Sequence, residues 1–174
     1  MKNIILVGYM GCGKTTVGKN LARVCEWSFV DTDEWIEEQQ GRSISEIFAS
    51  DGEAAFRDME TAVLREMLAG KKEGFILSTG GGMPVREENR ALLKQIGRVF
   101  YLQAEPKTIY ERVKGDTTRP LLRCEDPLRR IQEMLVQRGP VYEDAAHQII
   151  KVDEHNQQEI AEIIKEAGKS EGIL

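Results

Sequence analysis

The chain is poor in the residues that several whole classes of protein depend on. Its 3 cysteines, Cys12, Cys25 and Cys124, are an odd number, widely spaced and without a C-x-x-C pair, which argues against a disulfide framework or a structural zinc site. Reduced thiols in a cytoplasmic protein are the expectation. Long hydrophobic runs are missing too. The longest early apolar stretch is Ile4 to Val7, far below the roughly 20 residues of a membrane-spanning helix and below the core of a signal peptide. Positive charge is in the minority, 24 Lys and Arg against 29 Asp and Glu for a net charge of −5. A general nucleic-acid or anionic-membrane surface would need the opposite balance. A local basic cluster around a small anion stays open. No repeat, low-complexity tract or linker divides the chain, so one domain over 1–174 is expected.

What is present is an alternation of short apolar runs and amphipathic segments. Asn3–Gly8, Trp27–Asp31, Gly74–Thr79, Arg98–Gln103 and Gln148–Asp153 read as strands. Continuous apolar stretches such as Ile4-Ile5-Leu6-Val7 suit strands buried on both faces, as in a parallel sheet. Between them, Val17, Leu21 and Val24 repeat with helical spacing, as do Phe56, Met59, Val63 and Met67. Asp126-Pro127 is a helix start, with a capping Asp and Pro in the first turn; Leu128, Ile131, Met134 and Leu135 carry its apolar face. A last helix is expected over Gln157–Lys169. The pattern predicts an α/β layer fold with a mostly parallel sheet. Two segments fit poorly: 31–70 is helical without a strand, and 114–125 is polar without a period, as in a mobile loop.

Gly8-Tyr9-Met10-Gly11-Cys12-Gly13-Lys14-Thr15 fills every fixed position of G-x-x-x-x-G-K-[ST]. The glycines let backbone N–H groups converge on phosphate oxygens. The lysine reaches the β- and γ-phosphates, and the Thr hydroxyl suits Mg²⁺. A strand before the loop and a helix after it add the context the motif needs. The loop alone does not choose among a switch, a motor and a metabolic kinase. Neither D-x-x-G nor N-K-x-D, the marks of a GTPase switch, occurs. The third strand ends in Ser78-Thr79-Gly80 rather than a metal-binding Asp, unlike a large ATPase. A small-molecule kinase is left.

Four further features stand in order after the loop: Asp31-Thr32-Asp33; Gly52-Glu53-Ala54-Ala55-Phe56-Arg57 with Glu60; Gly80-Gly81-Gly82; and Arg119-Pro120-Leu121-Leu122 followed by Arg138 and Tyr142-Glu143. Together with the loop they resemble the shikimate kinase family, from about Ile5 to Ala146. The resemblance implies a three-layer P-loop kinase core with a five-stranded parallel sheet in order 2-3-1-4-5, as in nucleoside monophosphate kinases. It also implies a helical substrate-binding insertion at about 31–70 and an arginine-bearing lid at about 114–125. The implied reaction transfers a phosphoryl group from ATP to the 3-hydroxyl of shikimate, on the route to aromatic amino acids.

The resemblance also assigns roles. Gly11, Cys12, Gly13, Lys14, Thr15 and Thr16 would hold the phosphates, and Lys14 and Arg119 would neutralise charge on the transferred group. Asp33 would hold the acceptor hydroxyl and take its proton. Thr15 would ligate Mg²⁺, with Asp31 acting through water. Arg57 and Arg138 would grip the shikimate carboxylate, with Glu60 orienting Arg57 or making a plain surface pair with it. Gly80, Gly81 and Gly82 would allow close approach. Arg112 would stack on adenine, the far side of that pocket being left open at Val152–Asn156, where the family's frequent proline is absent. His147 and His155 read as surface residues. Oxidation or alkylation of Cys12 would be expected to block phosphate binding. The implied partners are small molecules, with neither nucleic acid nor membrane, and a monomer is expected. The alternatives are a kinase for another polyol acid such as gluconate, and a nucleotide-binding regulatory module without turnover.

Overall fold

The computed structural model of the chain describes residues 2–115 and 125–174. Five strands, β1 (Ile4–Val7), β2 (Ser28–Asp31), β3 (Phe75–Ser78), β4 (Arg98–Gln103) and β5 (Gln148–Lys151), form one sheet in order β2-β3-β1-β4-β5. Every pairing is parallel. Parallel neighbours need long crossovers, and helices supply them: α1 (Lys14–Cys25), α2 (Thr32–Gln40), α3 (Ile44–Gly70), α4 (Glu87–Ile96), α5 (Pro106–Val113), α6 (Pro127–Ala145) and α7 (Gln157–Ser170). The five expected strands are all present, each trimmed or kept to within two residues. The segment 31–70 is helical as expected and divides into α2 and α3, with α3 broken at Gly52 by a left-handed φ of 85°. Helices α4 and α5, which no single sequence signal marked, fill the crossovers either side of β4.

The central strand β1 has all four residues fully buried. Alternation sends Ile4 and Leu6 to one face and Ile5 and Val7 to the other. On the first face lie α1, where Gly18 sits against Phe29 and Leu6, and α7, where Gly168 approaches Ile4. Helices α3, α4 and α6 pack with one another on the other side. The stripe on α1 buries Val17 and Leu21, while Val24, one residue from the helix end, is 37% exposed. Asp126 caps α6 by accepting the Arg129 N–H at 3.0 Å, and Ile131 and Met134 are buried below it. This helix runs on through Pro140. Among the described residues, no helix is long and apolar enough to cross a membrane.

One buried polar side chain ties the sheet together at the end away from the crossover loops. Asn3 has no exposed surface. Its amide donates to Ile96 O at 2.9 Å and Lys72 O at 3.1 Å, and its Oδ1 receives the Phe75 N–H at 3.4 Å. It thus joins the starts of β1 and β3 to the end of α4. Removing it leaves buried backbone groups unpaired, each costing about 1–3 kcal/mol. Asn3→Ala is expected to lower unfolding free energy by about 3 kcal/mol in urea denaturation, with the active-site KM values unchanged.

Candidate active site

The carboxyl ends of β1, β2 and β3 lie level, since Asp31 pairs with Ser78 and Ser78 with Leu6. Everything that follows these three strands therefore meets at one edge of the sheet, where parallel α/β folds bind their ligands. After β1 comes the glycine-rich loop. Gly8 and Gly13 have φ of 148° and 104°, values an L side chain rarely adopts. Helix α1 then starts at Gly13 without a side-chain cap and without an acidic residue in its first turn. By contrast α2, α3 and α7 begin with capping side chains from Asp31, Ser43 and Asn156. The first turn of α1 keeps its N–H groups available for an anion. Lys14 is 9% exposed and folds back over the loop, donating to Gly8 O at 2.8 Å and Tyr9 O at 3.1 Å. Cys12 Sγ lies 3.7 Å from the same nitrogen, and its side chain is 1% exposed beneath the loop.

After β2, Asp31 caps α2 through Oδ1, accepting from Asp33 N at 2.9 Å and more weakly from Glu34 N. The cap aims Asp33 across the strand ends toward Gly80. After β3, Gly80 donates its N–H to Thr32 Oγ1 at 3.0 Å, and Gly81 O receives the Tyr142 hydroxyl at 2.6 Å. A Cβ on Gly80 would stand 2.6 Å from Asp33 Oδ1, and one on Gly82 would stand 2.3 Å from Arg57 Nη1. These two positions need glycine because side chains from α2 and α3 already occupy the space. Arg57 binds Glu60 at 2.8 Å and Glu53 at 3.2 Å. Glu60 has no exposed surface, so this is no surface pair.

A cavity of about 360 Å³ at this edge is lined by Gly11, Gly13, Lys14, Thr15, Thr16, Asp31, Asp33, Gly80, Gly81 and Arg112, along with Met10, Ser78, Thr79 and Gln157. Arg112 donates to Gly11 O at 3.1 Å. Arg57, Gly82 and Arg138 are not among the residues that line the cavity: Arg138 lies over the Tyr9 ring at 6.0 Å, and Arg57 stands beside Gly82. Arg119 and most of the expected lid fall in 116–124, outside the described residues. His155 is at the surface beside Glu159; His147 is exposed too, though its Nδ1 accepts the Val99 N–H at 3.0 Å. On the side of the cavity that the sequence left open, Val152 is buried, Asp153 accepts the Glu105 N–H, and Gln157 faces the opening. A second cavity of about 360 Å³, between β2 and the end of α3, includes Trp35, Met67 and Phe75 and none of these groups.

Burial and the neighbouring Asp31 charge push the Asp33 carboxyl up to about 6, with Lys14 pulling the other way. Burial pushes Glu60 up to about 7 against the opposing pull of Arg57. The Tyr142 hydroxyl is pushed well above its ordinary value, again mainly by burial, so it stays a neutral donor to Gly81. Thr32 and Tyr142 were missed as positioning groups in the sequence. Both lie in stretches that carry the family resemblance, but nothing there assigned them a partner; their roles come from contacts 48 and 61 residues away.

The sequence profile of the family described as shikimate kinase matches residues 10–168. The shikimate kinase of Thermodesulfovibrio yellowstonii is 46% identical over 167 residues, 95% of each chain. The chain belongs to the shikimate kinase family. The relative from Symbiobacterium thermophilum is 42% identical over 98% of both chains. Among solved structures, shikimate kinase from Acinetobacter baumannii in complex with shikimate superposes with a TM-score of 0.89 at 38% identity, covering 97% of this chain and 93% of that one. The Aquifex aeolicus shikimate kinase gives 0.80 at 30% identity, covering 98% of both. The P-loop kinase fold with sheet order 2-3-1-4-5 is the family's.

For a shikimate kinase, the tightest steric element of this site is Gly82 against the Arg57 guanidinium. Gly82→Ala is expected to leave the melting temperature nearly unchanged, because the clash is with a movable side-chain end. It should raise KM for the acceptor about 10- to 100-fold, the loss of one charge-assisted contact, while KM for ATP holds. Steady-state kinetics in both substrates measures the split.

Proposed function

We propose that this chain transfers the γ-phosphoryl group of ATP to the 3-hydroxyl of shikimate, working as a single domain with residues 31–70 on the acceptor side and 114–125 as lid. The observation that carries this reading is the meeting, at one sheet edge, of an anion-binding loop with a carboxylate and a guanidinium suited to a hydroxylated acid. Phosphoryl transfer asks for positioning and charge rather than covalent help. The bare first turn of α1 and the loop N–H groups hold phosphate oxygens, with Thr15 and Thr16 beside them. Lys14, released from Gly8 O and Tyr9 O, moves onto the phosphates. Asp33, buried and therefore more basic than an ordinary carboxylate, accepts the proton of the acceptor hydroxyl as its oxygen attacks phosphorus and ADP leaves. Arg57 and Arg138 hold the acceptor carboxylate. Arg112, bonded to Gly11 O, lies where it can meet the adenine, and Arg119 brings positive charge from the lid.

Mg²⁺ fits the donors at hand. Among the described residues no three His, Cys, Asp or Glu side chains are grouped to cage a metal, but Thr15 and Asp31 line the same cavity. That set suits a hard cation kept mostly by phosphate oxygens and water, with Asp31 acting through a water. When bound, the ion supplies charge neutralisation on the phosphates. The catalyst works as a monomer. Cys12 and Cys25 are free thiols, which supports a reducing, cytoplasmic setting.

ADP release with shikimate, with gluconate and without acceptor tests the reading. Shikimate should stimulate release strongly and gluconate hardly at all; equal rates in all three would overturn it. Asp33→Asn is expected to keep ATP binding and to lose kcat by about 10²- to 10⁴-fold. A near-normal kcat for that variant would remove Asp33 from the chemistry.

A further inference from the structure

Three buried side-chain polar atoms among the described residues lack a hydrogen-bond partner: Asp33 Oδ1, Glu60 Oε1 and Arg98 Nε. Arg98 opens β4, at the opposite end of the sheet from the site, and pairs with Glu171 through its other nitrogen. The two carboxylate oxygens are a different matter. They lie 2.6 Å and 3.2 Å from the point where a Cβ on Gly80 would stand, so both face the same small space. Two ionised carboxylates with unpaired oxygens aimed at one buried point repel each other, and neither gains the bonds that would offset its desolvation. A single proton on one of them removes the repulsion and gives that oxygen a group to donate.

The surroundings say which carboxylate keeps it. Asp33 borders the cavity and feels the Lys14 ammonium. Glu60 is sealed off completely. Its own helix presents Arg57, which Glu53 also engages. From α2 it faces Asp33, and from the segment after β3 it faces Arg86, which Asp58 holds at 2.7 Å. Both cations near Glu60 are thus shared with other acids. Complete burial, only partly offset by Arg57, accordingly raises its hold on a proton well above that of an ordinary carboxylate. The two oxygens of Glu60 also divide the work: Oε2 receives Arg57 at 2.8 Å, which leaves Oε1 for a proton.

We propose that Glu60 serves the acceptor site as a neutral carboxylic acid, Oε2 receiving Arg57 while the proton on Oε1 faces Asp33 across Gly80, so that the anionic acceptor binds to the protonated form. Glu60 is then a positioning residue with a charge requirement. An acceptor carboxylate drawing on Arg57 removes part of what stabilises ionised Glu60, and adds a negative charge nearby. Both raise its hold on the proton. The site therefore takes up a proton as it takes up the acid, and affinity falls once pH rises through the range where free Glu60 ionises.

The inference rests on shikimate being the acceptor, and the test separates the two. Calorimetric titration of the whole chain with shikimate, without ATP, in buffers of different ionisation enthalpy reads the linked proton. Wild type should take up about half a proton at pH 7, and its shikimate affinity should drop up to about tenfold per pH unit toward pH 8.5. Glu60→Gln keeps an oxygen for Arg57 and an N–H for Asp33. It should bind shikimate with similar affinity at pH 7, take up no proton, and show a flat profile. Should that variant fail to fold, the wild-type profile decides alone: a fall in affinity above pH 7 supports the inference. Binding without proton uptake, or uptake by Glu60→Gln equal to wild type, would overturn this inference alone. Absence of shikimate binding would overturn the substrate reading and the inference together.

Discussion

The level, parallel pairing of β2, β3 and β1 is the constraint on which the rest of the molecule depends. With Asp31, Ser78 and Leu6 in one row across the sheet, the three segments that follow have no choice but to share one edge. Thr79 fixes the row further, its N–H and hydroxyl both donating to Leu6 O. Parallel strands also demand crossovers, and these are put to use. The first becomes the helix whose uncapped N-terminus opens on the cavity. The second becomes α2 and α3, which return with Asp33 and Arg57. Slipping β2 by one residue along β3 would reverse its faces and turn the cap at Asp31, with Asp33 behind it, away from the loop.

Charge is then handled locally against an unfavourable total. The chain carries a net charge of −5, and both ligands are anions. Lys14 and Arg112 line the cavity, while Arg57 stands at Gly82 and Arg138 over Tyr9, four cations from four separate elements. Each is held by polar groups or an aromatic face while waiting: Lys14 by loop carbonyls, Arg57 by Glu60 and Glu53, Arg112 by Gly11 O and Arg138 over Tyr9. Partners of this kind orient a cation without sealing it off, because carbonyls and half-shared acids give way to a phosphate or carboxylate at modest cost. Buried Glu60 is the exception. Its cost is met by a proton rather than by a second cation, which leaves Arg57 free to turn toward a ligand.

Much of this could be read from the chain before any coordinates. The loop at Gly8–Thr15 was legible because backbone geometry, one lysine and one hydroxyl, all consecutive, contain its chemistry. The five strands were legible as apolar runs, and the helical character of 31–70 showed as the absence of a strand. The family resemblance added the strand order, which the sheet follows, and the roles expected of Asp33, Arg57 and Gly80–Gly82. What escaped were relations between distant residues. Glu60 reads either as an aid to Arg57 or as half of an i,i+3 surface pair until packing shows it buried, and the motifs that hold Thr32 and Tyr142 do not show what those side chains bind. Pro140, a residue that interrupts most helices, lies within α6, whose packing against β4 and α4 outweighs one lost backbone bond. Gln157 was hidden inside a capping box, Asn156 to Glu159, that marked only a helix start.

The central claim is that one sheet edge brings phosphate donor and acid acceptor together with their reacting atoms in line. A crystal structure of this chain with ADP and shikimate tests it most directly. The account predicts the β-phosphate in the Gly8–Thr15 loop, the shikimate hydroxyl nearest that phosphate within hydrogen-bond reach of Asp33, and the shikimate carboxylate on Arg57 and Arg138. Shikimate bound with its carboxylate away from both arginines, or with no hydroxyl near Asp33, would contradict it.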